Sequence, residues 1–230
     1  MSARAVRVLL PVAWLSCALA AQETRPPGEL PERATARLEE SRRAAGRYAT
    51  HVWRDTPPVN ADGSVNAYVE IPRGERRKWE FDMARNGREI DRMIPADIGG
   101  YPVNYGFVPQ TISYDGDPFD ALVLGPPLPG GRVVRGTVVG LMLMEDEKGL
   151  DSKVVLSPPA RDGSPLYGLL PRKRERIGEY FRRYKRHDPG SFSRVPGWGS
   201  ASDGLAHVRM THAFFRECRH VIGSACRPFE

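Results

Sequence analysis

Cysteine is scarce: three residues in 230. That excludes a small fold knit together by disulfides. Past the first twenty residues no apolar run approaches the length of a membrane span, so no span is expected there. The chain has no internal repeat and no low-complexity tract, so it is not a repeat array. The five histidines, His51, His187, His207, His212 and His220, lie away from the acidic motifs described below. No Ser-His-Asp arrangement stands out, which argues against a covalent acyl-type mechanism. What remains is ordinary apolar content and enough length for one domain with a real core.

The first twenty residues differ from the rest. Arg4 and Arg7 precede a short apolar stretch from Val8, and Ala18-Leu19-Ala20 is a small-x-small cleavage site. This pattern predicts a secretory signal peptide over residues 1–20 and export to the periplasm or beyond. The run is too short for a membrane anchor, and Trp14-Leu15-Ser16 before Cys17 is a poor lipoprotein signal. Cleavage lowers the formal charge from +6 to +4 and leaves Cys218 and Cys226. Eight residues of helix would hold their backbones about 12 Å apart, too far for a bridge. Gly223 lies between them and can end the helix, so an oxidising address favours a disulfide over two free buried thiols.

Residues 21–59 read as a partly helical N-terminal extension, peripheral to the core, with the charges of Ala34–Tyr48 forming a solvated face. The domain proper is expected over residues 60–230. Ala67–Ile71 is strand-like. Lys78-Trp79-Glu80-Phe81-Asp82 alternates strictly, which puts Lys78 and Glu80 on one face. Asn86-Gly87 predicts a hairpin to a partner strand carrying Arg92. Arg132–Met144 predicts a long strand with bulges at Gly136 and Gly140. Ile177, Tyr180, Phe181 and Tyr184 recur at helical spacing beside a dense basic run, and a second helix is expected from a cap at Ser202 or Asp203 to about Ile222. Many short strands with Gly/Pro turns and a few late helices point to a mainly β fold, a small closed barrel with helices.

Two acidic clusters flank the long strand. Asp115, Asp117 and Asp120 lie within one Gly- and Pro-containing loop, and Asp146, Glu147 and Asp151 follow Met144. Six carboxylates brought together repel one another unless cations hold them. Oxygen-only ligands suit magnesium, or manganese, before zinc. The first cluster is not an EF-hand loop, because counting twelve residues from Asp115 reaches Pro126 instead of a glutamate. Lys78, Arg92, Lys153, Lys185, Tyr105 and Tyr184 add cations and hydroxyls. Carboxylates and cations together suit a phosphate-bearing, metal-chelating substrate attacked by a metal-activated water.

Asp115-Gly116-Asp117-Pro118-Phe119-Asp120 resembles the D-G-D-P-x-D signature of soluble family I inorganic pyrophosphatases. Val69-Glu70-Ile71-Pro72, Lys78-Trp79-Glu80, Asp91-Arg92, Tyr101-Pro102-Val103-Asn104-Tyr105-Gly106, Asp146 to Lys153 and Tyr184-Lys185 follow in the same order. The resemblance covers about residues 60–220. It implies a five-stranded OB-like closed barrel with flanking helices, and hydrolysis of pyrophosphate to two phosphates with several Mg2+ ions. It implies Asp115, Asp120 and Asp151 as ligands of a first metal, and Asp146, Asp151, Glu70 and Glu80 as holders of further metals. It implies that Glu147 lies behind the metal ligands or on a metal-bound water, and that Asp117 is the general base. Lys78, Arg92, Tyr105, Lys153, Tyr184 and Lys185 grip the phosphates.

The stretch between Lys185 and Trp198 lacks lysines that bacterial members often carry, and Arg194 is the candidate substitute. Dimers and hexamers both occur among relatives, so a homo-oligomer is left open. Two other readings remain. One is an exported metal-dependent phosphatase acting on polyphosphate or nucleotides. The other is an OB-like nucleic-acid module using the basic helix, which six carboxylates disfavour.

Overall fold

The computed structural model describes residues 32–220. The leader, Ile222, Gly223 and Cys226 lie outside the described residues. Most strands join one seven-stranded sheet. They are β1 (Val65–Ile71), β4 (Asn104–Phe107), β5 (Asp120–Val123), β6 (Arg132–Asp146), β7 (Gly149–Leu150), β8 (Lys153–Ser157) and β9 (Ser193–Gly199). A separate hairpin pairs β2 (Arg77–Asp82) with β3 (Gly87–Met93), and Asn86 turns it with a positive φ of 52°. The fold is mainly β with helices, as the strand and turn pattern predicts.

Every residue of β1 and of β8 is buried. Both faces of these strands are therefore covered, and the polar residues Asn66, Glu70, Lys153 and Ser157 are buried along with the apolar ones. β1 runs antiparallel to β4 and to β6, and β4 antiparallel to β5. β5 runs parallel to β8, and β8 antiparallel to β6. The pairing path β1-β4-β5-β8-β6 thus returns to β1. Gly106 permits the tight approach of β4 to β1, since a Cβ there would lie 1.8 Å from the Tyr68 carbonyl oxygen.

The long strand β6 shifts register between Val138 and Gly140, where a bulge was expected. It shifts again between Leu143 and Glu145, which was not expected. At Gly136 the ladder to β1 is unshifted, which corrects the second expected bulge. The reason for glycine there is packing: a Cβ would stand 2.8 Å from that of Leu156.

Helix α3 (Pro171–Arg183) buries Ile177, Tyr180 and Phe181 against Leu122, Met142, Met144 and Val155, with Tyr184 at its C-cap. Helix α4 (Ala201–Cys218) starts earlier than expected. Its cap is Ser200, whose Oγ accepts from Asp203 N while Ser200 N donates to Asp203 Oδ2 at 2.7 Å. This capping box uses Asp203 at its third helical position, so Asp203 is not itself the cap. Cys218, at the end of α4, is buried and disulfide-bonded. Cys17 and Cys226, the other cysteines of the sequence, lie outside the described residues.

The expectation that residues before 60 are peripheral is corrected. Helices α1 (Glu32–Ala44) and α2 (Val52–Asp55) enter the second core. Ala34, Leu38 and Trp53 pack with Tyr68, Phe81, Phe107 and Phe215. Trp53 is fully buried and its Nε1 donates to the Thr111 carbonyl at 3.0 Å. Buried His51 bonds the Met83 carbonyl at 2.8 Å. Among the described residues no helix is long and apolar enough to cross a membrane.

Candidate active site

The acidic loop between β4 and β5 owes its shape to three local features. Gly116 takes φ +84°, a left-handed conformation that side chains resist. Asp117 N donates to Asp115 Oδ1 at 3.0 Å, an Asx turn that sets the two aspartates side by side. Phe119 then plugs the core at 1% exposed, and its N–H donates to Thr111 Oγ1 at 2.8 Å. The apolar plug between Asp117 and Asp120 anchors a loop that is otherwise charged.

Strand pairing brings up the second cluster. The register Ala121↔Val154 lays Asp120 beside Lys153. The Lys153 ammonium, 1% exposed, bonds Asp120 and also Asp151, the latter at 2.7 Å. Lys185, just past α3, donates to Asp146 Oδ2 at 2.6 Å and to Glu147 Oε1 at 2.8 Å. The β2–β3 hairpin supplies Lys78, whose Nζ reaches Glu80 at 2.7 Å and Asp91 at 2.9 Å. Arg92 pairs with Asp188 at 2.9 Å. Glu70, on β1, accepts from Phe81 N at 2.8 Å.

These side chains surround one cavity of about 120 Å³. Asp115, Asp117, Asp120, Asp146 and Asp151 line it, as do Glu70 and Glu80. Lys78, Arg92, Lys185, Tyr105 and Tyr184 line it too. Two residues expected at the site do not line it. Lys153 is buried behind the wall as a counter-ion, so its reach toward a substrate is indirect. Glu147 holds Lys185 from outside and also accepts from Phe192 N at 3.3 Å. Arg194 stays exposed with its guanidinium over the Phe192 ring, and it is not the substitute cation that was expected.

Sequence reasoning missed three cations of the lining, Lys148, Arg33 and Arg37. The two arginines stand on α1, and both contact Asp117 Oδ1, at 2.7 Å and 2.6 Å. A signal for them existed. Ala34 and Leu38 are spaced four apart and buried, and Arg33 and Arg37 keep the same spacing one residue earlier.

The electrostatics show a pocket crowded with carboxylates. Burial, reinforced by Asp120, pushes Glu70 up to about 8. Burial and then the neighbouring Asp117 raise Asp115 to about 7. Burial also holds Asp151 well above the usual carboxylate range, against the pull of Lys153. On Lys153 burial acts to lower the pKa, but Asp120 and Asp151 outweigh it and push it up. The Lys78 ammonium likewise outweighs burial at Glu80 and holds it below its ordinary value. The phenols of Tyr105 and Tyr184 are pushed far up, mainly by burial. Both therefore remain hydrogen-bond donors at neutral pH.

The donor set tests whether divalent cations suit this pocket. It consists of carboxylate oxygens, the ligands of hard divalent ions. Glu70, Asp115 and Asp151 are pushed toward protonation first by burial and then by neighbouring carboxylates, so bound cations would favour their charged forms. Among the described residues the carboxylates are drawn onto lysines and arginines, and no three His, Cys, Asp or Glu side chains converge as a ready metal-binding group. The chemistry fits, and ligation requires these side chains to exchange their ammonium and guanidinium partners for cations.

A family model described as inorganic pyrophosphatase matches residues 67–216. The inorganic pyrophosphatase of Sulfolobus acidocaldarius is 34% identical over 162 residues, spanning 67% of this chain and 93% of that protein. The crystal structure of inorganic pyrophosphatase from Thermus thermophilus superposes with a TM-score of 0.66 at 34% identity, over 73% of this chain and 99% of that one. An inorganic pyrophosphatase structure from Coxiella burnetii gives 0.65 at 33% identity, over 70% and 99%. The acidic loop, the paired lysines and the sheet that carries them therefore have a known setting: this chain belongs to the inorganic pyrophosphatase family.

Proposed function

We propose that the protein hydrolyses inorganic pyrophosphate to two phosphates, using Mg2+, with Mn2+ as a substitute. The observation that carries this reading is a single small cavity lined by seven carboxylates and faced by Lys78, Arg92, Lys185, Tyr105 and Tyr184. Asp115, Asp120 and Asp151 would hold a first ion, and Asp146, Asp151, Glu70 and Glu80 would hold further ions. When bound, such ions screen the phosphate oxygens and acidify a water.

The protein's own groups do the rest. Asp117, set beside Asp115 by the Asx turn, accepts the proton of the attacking water. Lys78, Arg92 and Lys185 face the phosphate oxygens, where charge grows as the bridging P–O bond breaks. Tyr105 and Tyr184 donate neutral hydrogen bonds, since a phenol is protonated at neutral pH and burial reinforces this. Lys153 positions Asp120 and Asp151 from behind. Glu147 aims Lys185 at the cavity.

The pairing path that returns to β1 supports an OB-like five-stranded closed barrel as the scaffold. The leader pattern supports export. An intact mass of the exported protein that starts after Ala20 is the expected result, and a retained Met1 contradicts it.

Phosphate release from pyrophosphate tests the activity. Release is expected with Mg2+ and is expected to stop with chelator. No release with Mg2+ overturns the reading. Release from ATP is expected to be much slower than from pyrophosphate. Equal rates would move the assignment to a broader phosphatase.

A further inference from the structure

We propose that Arg33 and Arg37 are substrate-binding residues, a clamp that α1 adds to the pocket to take phosphate oxygens of pyrophosphate. The inference rests on the pyrophosphate reading of the same cavity. Both arginines lie N-terminal to the stretch matched by the family model, so they come from outside the shared domain.

Three observations carry the clamp. First, the arginines are held in place from behind. Ala34 is fully buried and Leu38 is 3% exposed in the core with Phe81 and Phe107, so α1 is seated and the pair lines the cavity. Second, their hold on Asp117 is ionic and partial. Arg33 uses Nε and Arg37 uses Nη2, and both meet the same oxygen, Oδ1. That oxygen has no aligned hydrogen bond despite the short distances. Third, donors are left over. Arg37 Nε is buried without a hydrogen-bond partner, an uncompensated donor beside the cavity.

A guanidinium carries five donors in a planar fork that matches phosphate geometry. One oxygen of one aspartate leaves most of that fork unused. A pyrophosphate presents several charged oxygens and is the better partner for both arginines. Asp117 then shares or surrenders them, which also clears the carboxylate that accepts the proton of the attacking water.

The test is calorimetric titration of imidodiphosphate, a non-hydrolysable analogue, into the full chain with Mg2+ present. R33Q, R37Q, the double variant and R37K are compared with wild type. The double variant is expected to bind roughly 10–100-fold more weakly. Its KM for pyrophosphate should rise in step, with kcat within about threefold. R37K should recover part of the affinity, since it restores charge without the fork. Unfolding curves should match wild type, because Ala34 and Leu38 are untouched. A double variant that binds within about twofold of wild type overturns the clamp. A higher kcat with unchanged affinity also overturns it, because the pair is then a latch on Asp117. If wild type neither binds the analogue nor cleaves pyrophosphate, the reading of the pocket fails first and the clamp with it.

Discussion

Asp117→Asn is expected to lower kcat by about 10²–10⁴-fold, the usual contribution of a positioned general base. The amide has nearly the shape of the carboxylate but does not accept a proton from water. The loop should survive, because its turn depends on Asp117 N donating to Asp115 Oδ1, a backbone contact the variant keeps. Affinity for imidodiphosphate should stay near wild type or improve, since Arg33 and Arg37 lose their carboxylate partner. Rapid-quench or phosphate-release kinetics together with calorimetry separate these effects. A fully active variant shows that another group takes the proton. A variant that unfolds more easily shows that the ion pairs with α1 hold the fold.

Lys153→Met is expected to cost about 3–5 kcal/mol of stability in chelator, the penalty for removing one partner of a buried charge cluster. Lys153 is buried, and its ammonium bonds both Asp120 and Asp151. Methionine fills similar space but leaves two carboxylates facing each other. They respond by taking up a proton or splaying apart, and either disturbs the pairing of β5 with β8. Urea unfolding in EDTA measures the loss, and saturating Mg2+ should return part of it. A loss under about 1 kcal/mol would show that the carboxylates do not depend on Lys153.

The legible parts of this protein were those written in short-range patterns. The alternation at Lys78–Asp82 marked β2 and put Lys78 and Glu80 on one face. Asp115-Gly116-Asp117-Pro118 marked a loop through its glycine and proline, and Gly116 does take a left-handed conformation. Residues now seen around one cavity were spread over six strands, the loops between them and the end of α3, and motif order tied them together in the sequence.

What was missed depends on contacts between distant segments. Arg33 and Arg37 look like ordinary helix charges until Ala34 and Leu38 are seen to dock on the second core. The basic run after Arg172 was expected to be a solvated face with Lys185 alone aimed at the site, and Lys185 does line the cavity. The structure divides it: Lys185 enters the site, Arg182 pairs with Glu179 at 2.8 Å, and Arg186 and His187 hold Asp97. Lys153 was expected among phosphate ligands, but the parallel register of β8 with β5 turns its ammonium onto Asp120 and Asp151. Gly136 looked like a bulge and is instead a contact with Leu156, because one glycine in a strand serves either purpose.

The central claim is that these carboxylates form one cation-demanding site, and stability against pH tests it most directly. Glu70 titrates near 8 and Asp115 near 7 in the folded chain, against ordinary values of 4.5 and 3.8. Both are raised acids, so the folded state keeps protons that the unfolded state has lost, and stability falls as pH rises toward the folded values. Buried His51 shifts the other way, and its opposing contribution fades as pH rises past its ordinary 6.5. Chemical unfolding in EDTA should lose stability from pH 6.5 to 8, with a slope for each group that nears about 1.4 kcal/mol per pH unit only below its folded value, so Asp115 contributes mainly below pH 7 and Glu70 up to about 8. Saturating Mg2+ should flatten or reverse that slope, because the ion binds the deprotonated forms. Parallel slopes with and without Mg2+ would contradict the account.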